Sequence, residues 1–326
     1  MTHQRKIRVL WVCAGLLAIL LALYGFWFIE SRSLPPPVLP PAGNRLAAQA
    51  PFTFAVIGDN RGNMQVFENV LRSIRRRKPQ FILHTGDLVR TCTPEDYGFL
   101  LHELAKENLP FPLCAVPGNH DIGKGASERQ NYELYVRAFG PRHYWFSCGD
   151  SLFVAADNAQ NRPEAIEKEL AWLKGVLETH RRRYKTCFVF LHIPPRDPRG
   201  IPDEEHGMVV GGQALMSILA HHQVSAVFAG HIHSFVEDRM ASVPIYITGG
   251  AGAPLRPPLR KHHYLLCTVL PNGQFQVHRE DVDECLDTDF PEYLLWKTHP
   301  LVALSLAGAI LGAAVVFLAM RHRHHR

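Results

Sequence analysis

Side chains that bind metal ions recur in this sequence directly after short apolar runs. Gly-Asp occurs at positions 58–59 and 86–87, Gly-Asn-His-Asp at 118–121, and Gly-His-Ile-His at 230–233. Carboxylate, amide and imidazole groups of this kind bind metal ions, and together they suit Zn, Mn and Fe. The pattern therefore predicts a metal-binding site. Its candidate ligands are Asp59, Asp87, Asn119, His192, His231 and His233.

The apolar runs before these residues have the length and the β-branched or aromatic content of strands. Helical patterns alternate with the runs, and the last part of the chain is strand-like without helices. Alternating βα units followed by a β-only tail predict an α/β sandwich with a mixed sheet. Because open α/β sheets bind ligands beyond the carboxyl ends of their strands, we expect the candidate ligands to meet at one edge. The five strands that lead into them are predicted at 52–57, 81–84, 112–116, 187–191 and 224–228.

The order of these motifs resembles that of the calcineurin-like metallophosphoesterase family, whose pattern is GDxH, GDxx, GNH(D/E), a single His and GHxH. The resemblance covers about residues 51–283. Each short motif is weak alone, but five in the right order, each at a strand end, form a specific signal. The resemblance implies an α/β fold, a four-layer α/β/β/α sandwich with mixed sheets. The matching segments are GDNR at 58–61, GDLV at 86–89, GNHD at 118–121, His192, and GHIH at 230–233.

The resemblance also implies how the ligands divide between two metal ions, which would be Mn, Fe or Zn. Asp87 would bridge the two ions, while Asp59 and His233 would complete one site. A bridging carboxylate suits the short separation of the ions in two-metal hydrolases. The ligands of the other site would be Asn119, His192 and His231.

The chemistry that the resemblance implies is hydrolysis of a phosphate monoester or diester. A hydroxide that bridges the ions would attack phosphorus, and His120, oriented by a neighbouring carboxylate, would protonate the departing alkoxide. His120 and Asp87 are therefore the expected catalytic residues. The expected substrate contacts are Asn60, Arg61 and His120.

Arg61 departs from the family pattern, because it occupies the position of the histidine in GDxH. The purple-acid-phosphatase variant has a tyrosine three residues after the bridging aspartate, and that position is Arg90 here. A guanidinium can clamp a phosphate, but Arg61 can equally form a salt bridge with a nearby carboxylate. Two functions stay open: a phosphoesterase, or a non-catalytic binding module of the same fold with an impaired first metal site.

Residues 9–29 and 300–320 are two uncharged stretches of 21 residues each. A helix of this length spans about 30 Å, the thickness of the hydrocarbon core of a bilayer, so we expect a transmembrane helix at each end. Basic residues flank both stretches on the sides of the chain termini, at 5–8 and 321–326. The positive-inside rule then predicts a two-pass protein of the cell membrane, with cytoplasmic tails and a catalytic domain outside the cytoplasm, in the periplasm of a bacterium.

The expected partners are a phosphate-ester substrate and the membrane, and the oligomeric state is open. Nucleic acid is not expected, because much of the net charge of +5 lies at the two ends. Two of the seven cysteines, Cys114 and Cys187, lie in apolar runs and are expected to be buried thiols. The predicted segments are 1–30 (tail and transmembrane helix), 31–50 (proline-rich linker), 51–283 (metallophosphoesterase domain), 284–299 (juxtamembrane connector) and 300–326 (transmembrane helix and basic tail).

Overall fold

The computed structural model describes residues 45–123, 128–199, 210–256 and 261–282, together with Gly15, Gly308 and Gly312. The chain divides into two compact units, one of residues 35–287 and one that combines residues 1–34 with 288–326. Within the described ranges, every helix is too short or too polar to cross a bilayer. The two predicted spans and the connector at 284–299 lie outside those ranges, apart from the three glycines. The membrane helices therefore stay a prediction.

Twelve strands in the described ranges form two sheets. The strands are β1 Arg45–Leu46, β2 Phe52–Ile57, β3 Ile82–His84, β4 Leu113–Ala115, β5 Tyr144–Cys148, β6 Ser151–Ala155, β7 Thr186–Phe190, β8 Ala226–Ala229, β9 Phe235–Met240, β10 Val243–Thr248, β11 His262–Val269 and β12 Phe275–Val282. The first sheet has seven strands in the order β1-β5-β6-β7-β8-β10-β9, and the second has five in the order β12-β11-β2-β3-β4. Both sheets mix parallel and antiparallel pairs.

The helices cover the outer faces of the two sheets. The first helix begins after Asn63, whose side chain accepts a hydrogen bond from the Val66 N–H, and it ends at Lys78 in the left-handed conformation. Its apolar face packs toward β11 and β12. The α-helices in the described ranges are α1 Met64–Arg77, α2 Pro94–Glu107, α3 Glu128–Phe139, α4 Pro163–His180 and α5 Gly212–His221.

Phenylalanine rings fill the space between the two sheets. The Phe54 ring of β2 lies 5.1 Å from Phe153 and 5.4 Å from Phe188, both of the other sheet, between ring centroids. Alternate residues of β6 face opposite sides, because Phe153 joins this cluster while Leu152 and Val154 pack beneath the helices. The α/β fold with mixed sheets, expected from the resemblance, is confirmed.

The predicted strands before the candidate ligands are all present, with ends that differ by a few residues. Two strands were not predicted. β1 lies within the segment expected to be a proline-rich linker, and its residues pair with β5. In β9, Glu237, Asp238 and Arg239 interrupt the apolar pattern. The partly exposed residues of β9 pair with β10 at the edge of the seven-stranded sheet. The prediction of buried free thiols at Cys114 and Cys187 is confirmed.

Candidate metal centre

The predicted ligands follow strands that run parallel within each sheet. In the five-stranded sheet β2, β3 and β4 are parallel neighbours, and in the seven-stranded sheet β7 and β8 are. Their carboxyl ends therefore meet at the same edge of each sheet. The loops beyond these ends carry Asp59, Asp87, Asn119, His192, His231 and His233.

His192 lies at the centre of this group, and its hydrogen bond to the backbone shows which ring nitrogen donates. Its Nδ1 atom lies 2.9 Å from the backbone oxygen of Thr85. A carbonyl oxygen only accepts hydrogen bonds, so Nδ1 donates here, and in the neutral form of the ring the lone pair is on Nε2. That lone pair faces Asn119 Oδ1 at 2.9 Å and Asp87 Oδ1 at 3.4 Å. His231 Nδ1 lies 3.1 Å from His192 Nε2.

Possible metal-binding atoms of Asn119, His231 and Asp87 thus lie 2.9, 3.1 and 3.4 Å from His192 Nε2. Acceptors this close repel one another unless a cation or a proton lies between them. Ligands bound at about 2.0–2.1 Å to a tetrahedral ion are about 3.3 Å apart, close to the separations found here. The chemistry of the donor set therefore fits a divalent metal ion.

Asp59 lies beside this group and is fully buried. Both of its carboxylate oxygens accept the His231 N–H, at 3.0 and 2.9 Å, and its Oδ1 is 3.6 Å from His233 Nε2. Burial raises the pKa of Asp59 well above its ordinary value, and the Asp87 charge adds to this. The His231 hydrogen bond and the nearby Arg61 charge act in the opposite direction. A cation bound at this edge would relieve the repulsion between the two carboxylates.

The backbone that carries the ligands is strained. The φ angles of Asp59, Asp87, His231 and His233 are 59°, 57°, 72° and 52°. Non-glycine residues rarely adopt this left-handed region, and such strain concentrates at functional sites. The loops are also closely packed, because a Cβ atom on Gly118 would clash with Asp87 Oδ1.

Asn60 is buried and uses both of its polar atoms within the protein. Its Nδ2 atom donates to the Leu88 carbonyl at 2.7 Å, and its Oδ1 lies 3.0 Å from His84 Nε2. His84 in turn accepts the Gly86 N–H, and burial lowers the pKa of His84 to about 3. This places Asn60 in a contact between the Asp59 and Asp87 loops, instead of the substrate contact expected from the sequence.

His120 and Arg61 lie together above the ligand group. The His120 N–H donates to Asp87 Oδ1 at 2.9 Å, and its Nδ1 lies 2.8 Å from the Arg90 carbonyl. Arg61 is half-buried and places Nη2 3.2 Å from the same Nδ1. The imidazole is therefore oriented by a backbone carbonyl, whereas the sequence led us to expect a carboxylate.

The nearest acidic residue, Asp121, has a different role. Its buried carboxylate accepts the N–H groups of Gly118 at 2.8 Å and Val89 at 3.0 Å. It therefore fastens the loop after β4 to the loop after β3. Burial raises the pKa of Asp121 well above its ordinary value, with a further contribution from Asp87.

Asn158 supports the site, and the sequence reasoning missed it. Its Oδ1 accepts the N–H groups of His192 at 3.1 Å and Ile193 at 3.0 Å, and its Nδ2 donates to the Ile193 carbonyl at 2.7 Å. The side chain thus fixes the turn that carries His192. A signal was present, since Asp157-Asn158 also follows an apolar strand closely.

The glycine-rich segment 249–253 forms a rim of the site. The Ala251 N–H donates to the Gly58 carbonyl at 3.0 Å, and the Ala253 N–H donates to the Asp59 carbonyl at 2.7 Å. His262 Nδ1 is 3.0 Å from the Gly250 carbonyl. The His263 N–H donates to the same carbonyl at 3.1 Å, and burial lowers the pKa of His263 to about 4. Both histidines therefore contact Gly250 of the rim.

Comparison with known proteins agrees with this geometry. The family model for calcineurin-like phosphoesterases matches residues 52–235. The chain belongs to the calcineurin-like phosphoesterase family. Membership and the names of its relatives identify it as a phosphoester hydrolase.

Two relatives illustrate the range of this phosphoesterase family. The human serine/threonine-protein phosphatase CPPED1 is 25% identical over 221 residues, which cover 60% of this chain and 69% of that protein. A probable glycerophosphodiester phosphodiesterase of Arcobacter nitrofigilis is 26% identical over 170 residues, or 48% of this chain and 57% of that protein. Among solved structures, a purple acid phosphatase from yellow lupin shares the fold, with a TM-score of 0.56, 12% identity, and coverage of 77% of this chain and 54% of that one.

Proposed function

We propose that this phosphoesterase hydrolyses phosphate monoesters or diesters at the edge where its predicted ligands meet. The observation that carries the proposal is the convergence of metal-binding atoms from Asp87, Asn119 and His231 on the Nε2 atom of His192. Oxygen and imidazole ligands of this kind suit a divalent metal ion. Both ester classes are included because the relatives are named as phosphatases and as phosphodiesterases.

The protein residues that would hold divalent metal are Asp59, Asp87, Asn119, His192, His231 and His233. When bound, such metal lowers the pKa of a water molecule and offsets charge on the phosphoryl oxygens. The residues around it must orient the ester and supply a proton. The five strand ends that carry them belong to two packed sheets, so little reorganisation is needed when the substrate binds.

His120 is suited to protonate the leaving group. Its Nδ1 lies 2.8 Å from the Arg90 carbonyl and 3.2 Å from Arg61 Nη2, which leaves Nε2 as the ring nitrogen that can contact the substrate. When the ring is protonated, Nε2–H can donate to the departing alkoxide oxygen. Arg61, beside it, can bind a phosphate oxygen through its guanidinium.

We also propose that the protein is a two-pass membrane protein whose catalytic domain lies outside the cytoplasm. The uncharged stretches at 9–29 and 300–320 and their basic flanks support this arrangement. It would bring envelope or lipid-linked phosphate esters within reach, alongside soluble ones. Reporter fusions test it: an alkaline phosphatase inserted after residue 282 should be active, and a fluorescent protein fused after residue 326 should fluoresce. The reverse pattern would refute the topology.

The hydrolytic function is tested with the full chain, purified in detergent and loaded with Mn²⁺ or Zn²⁺. We expect cleavage of an aryl phosphate or a bis-aryl phosphate, and a loss of at least about 100-fold on Asp87→Ala or His231→Ala. His221→Ala is the matched control, because His221 is exposed at the end of α5. Unchanged activity of Asp87→Ala and His231→Ala would refute the site, and no cleavage by the loaded wild type would favour a binding module.

A further inference from the structure

The two predicted metal sites differ in the number of ligands that the protein supplies. Around His192 Nε2, possible metal-binding atoms of Asn119, His231 and Asp87 lie at 2.9, 3.1 and 3.4 Å. At the other predicted site, Arg61 occupies the position of the fourth ligand in the family pattern. A guanidinium has no lone pair to offer a metal ion, so three predicted ligands remain there. They are Asp59, Asp87 and His233, and the Asp59 Oδ1 and His233 Nε2 atoms are 3.6 Å apart.

Arg61 is held at this position by the fold itself. Its backbone N–H donates to the Asp87 carbonyl at 3.0 Å, and its φ angle of 44° is left-handed. The Nη2 atom lies beside His120 Nδ1, over the site. Arg61 therefore places a positive charge two residues from Asp59, at the predicted metal site that lacks a fourth ligand.

We infer that this protein binds one divalent cation tightly, through Asp87, Asn119, His192 and His231, and that Arg61 takes the place of the second cation. A guanidinium keeps its charge at all working pH values and repels a metal ion beside it. Its fork is also suited to two oxygens of a phosphate. The inference rests on the proposed function, since it assumes that the ligand group holds metal for phosphoester hydrolysis.

Metal content distinguishes one ion from two. The full-length protein in detergent is stripped with a chelator, equilibrated with Mn²⁺ at a series of free concentrations, and measured by elemental analysis and electron paramagnetic resonance. At low free Mn²⁺ we expect about one ion per chain with the spectrum of an isolated ion. Arg61→His restores the family ligand, so we expect about two ions per chain and the spectrum of an exchange-coupled pair.

Three further variants locate the tight ion. Arg61→Lys keeps the positive charge without adding a ligand at neutral pH, so it should still bind one ion. Asn119→Ala should lose the tight ion, because it removes a donor to it, while Asp59→Asn should retain it. Circular dichroism confirms that each variant is folded before its metal content is compared.

Two coupled ions in the wild type at low free Mn²⁺ would overturn the inference, and so would loss of the tight ion on Asp59→Asn but not on Asn119→Ala. If the wild type binds two ions and still hydrolyses esters, only the role of Arg61 is refuted. If neither the wild type nor Arg61→His binds metal, the proposed function fails together with the inference.

Discussion

Replacement of Asn158 by alanine should weaken metal binding without touching a predicted ligand. The Asn158 side chain accepts the N–H groups of His192 and Ile193 and donates to the Ile193 carbonyl. Asn158→Ala leaves these three backbone groups without their partners in a buried turn. The turn that aims His192 Nε2 at the other donors then becomes free to rotate.

The size of the effect follows from these three hydrogen bonds. Each contributes about 1 kcal/mol net, so the free energy of unfolding should fall by about 3 kcal/mol in the absence of metal. Loss of a residue that orients a ligand typically lowers metal affinity by about 10–100-fold. Urea unfolding of the metal-free protein and calorimetric titration with Mn²⁺ measure the two quantities separately.

The matched control is Asn272→Ala, which removes an exposed asparagine from the turn between β11 and β12. It should change stability by less than about 0.5 kcal/mol and leave metal affinity unaltered. An Asn158→Ala protein that binds Mn²⁺ as tightly as the wild type would refute the view that Asn158 positions His192. Loss of stability alone would leave Asn158 a purely structural residue.

Three further outcomes test other parts of the structure. Burial raises the pKa of Asp157 from 3.8 to about 6, so the folded state binds this proton more tightly than the unfolded state. The contribution of Asp157 to stability should therefore decline by about 3 kcal/mol as pH rises from about 3 to about 7, and urea unfolding of Asp157→Asn should show a total decline smaller by about that amount; an equal pH dependence in the variant would contradict it. Phe54→Ala should destabilise the protein by about 3–5 kcal/mol in the same assay, because it empties the space between the sheets; a loss below about 1 kcal/mol would contradict that role. Gly118→Ala should abolish tight Mn²⁺ binding, since its Cβ would meet Asp87 Oδ1, whereas Gly175→Ala has open space and should stabilise α4 by about 0.5–1 kcal/mol; tight binding by Gly118→Ala would contradict the packing argument.

Much of the site was accessible from the sequence because its signals are local. Asp87 and His231 each follow a glycine at the end of an apolar run, and the parallel order of the strands brings such positions to one edge. The family resemblance supplied their grouping, which the short distances around His192 match. The same reasoning gave the alternation of strands and helices that positions them.

Residues whose role depends on partners far along the chain were not accessible in this way. The contact of Asn60 with His84 and Leu88 converts a residue next to Asp59 from an expected substrate contact into a support. His84 has no motif of its own, and its importance comes from the Gly86 N–H that it accepts. A sequence pattern states which residues are near a strand end, but not which atoms are already used.

Edge strands gave a weaker signal for a related reason. The exposed residues of β9 have no core to face on one side, so apolar alternation is lost. The pairing partner, β10, supplies the hydrogen bonds that hold the strand in place. Its charged residues are also suited to an edge, where they discourage pairing with other chains.

The most direct test of the metal site is anomalous diffraction from crystals of the full-length protein equilibrated with Mn²⁺. The structure leads us to expect the strongest peak about 2.0–2.3 Å from donor atoms of Asp87, Asn119, His192 and His231. A strongest peak elsewhere, or side chains that turn away from one another when Mn²⁺ is present, would contradict the site described here.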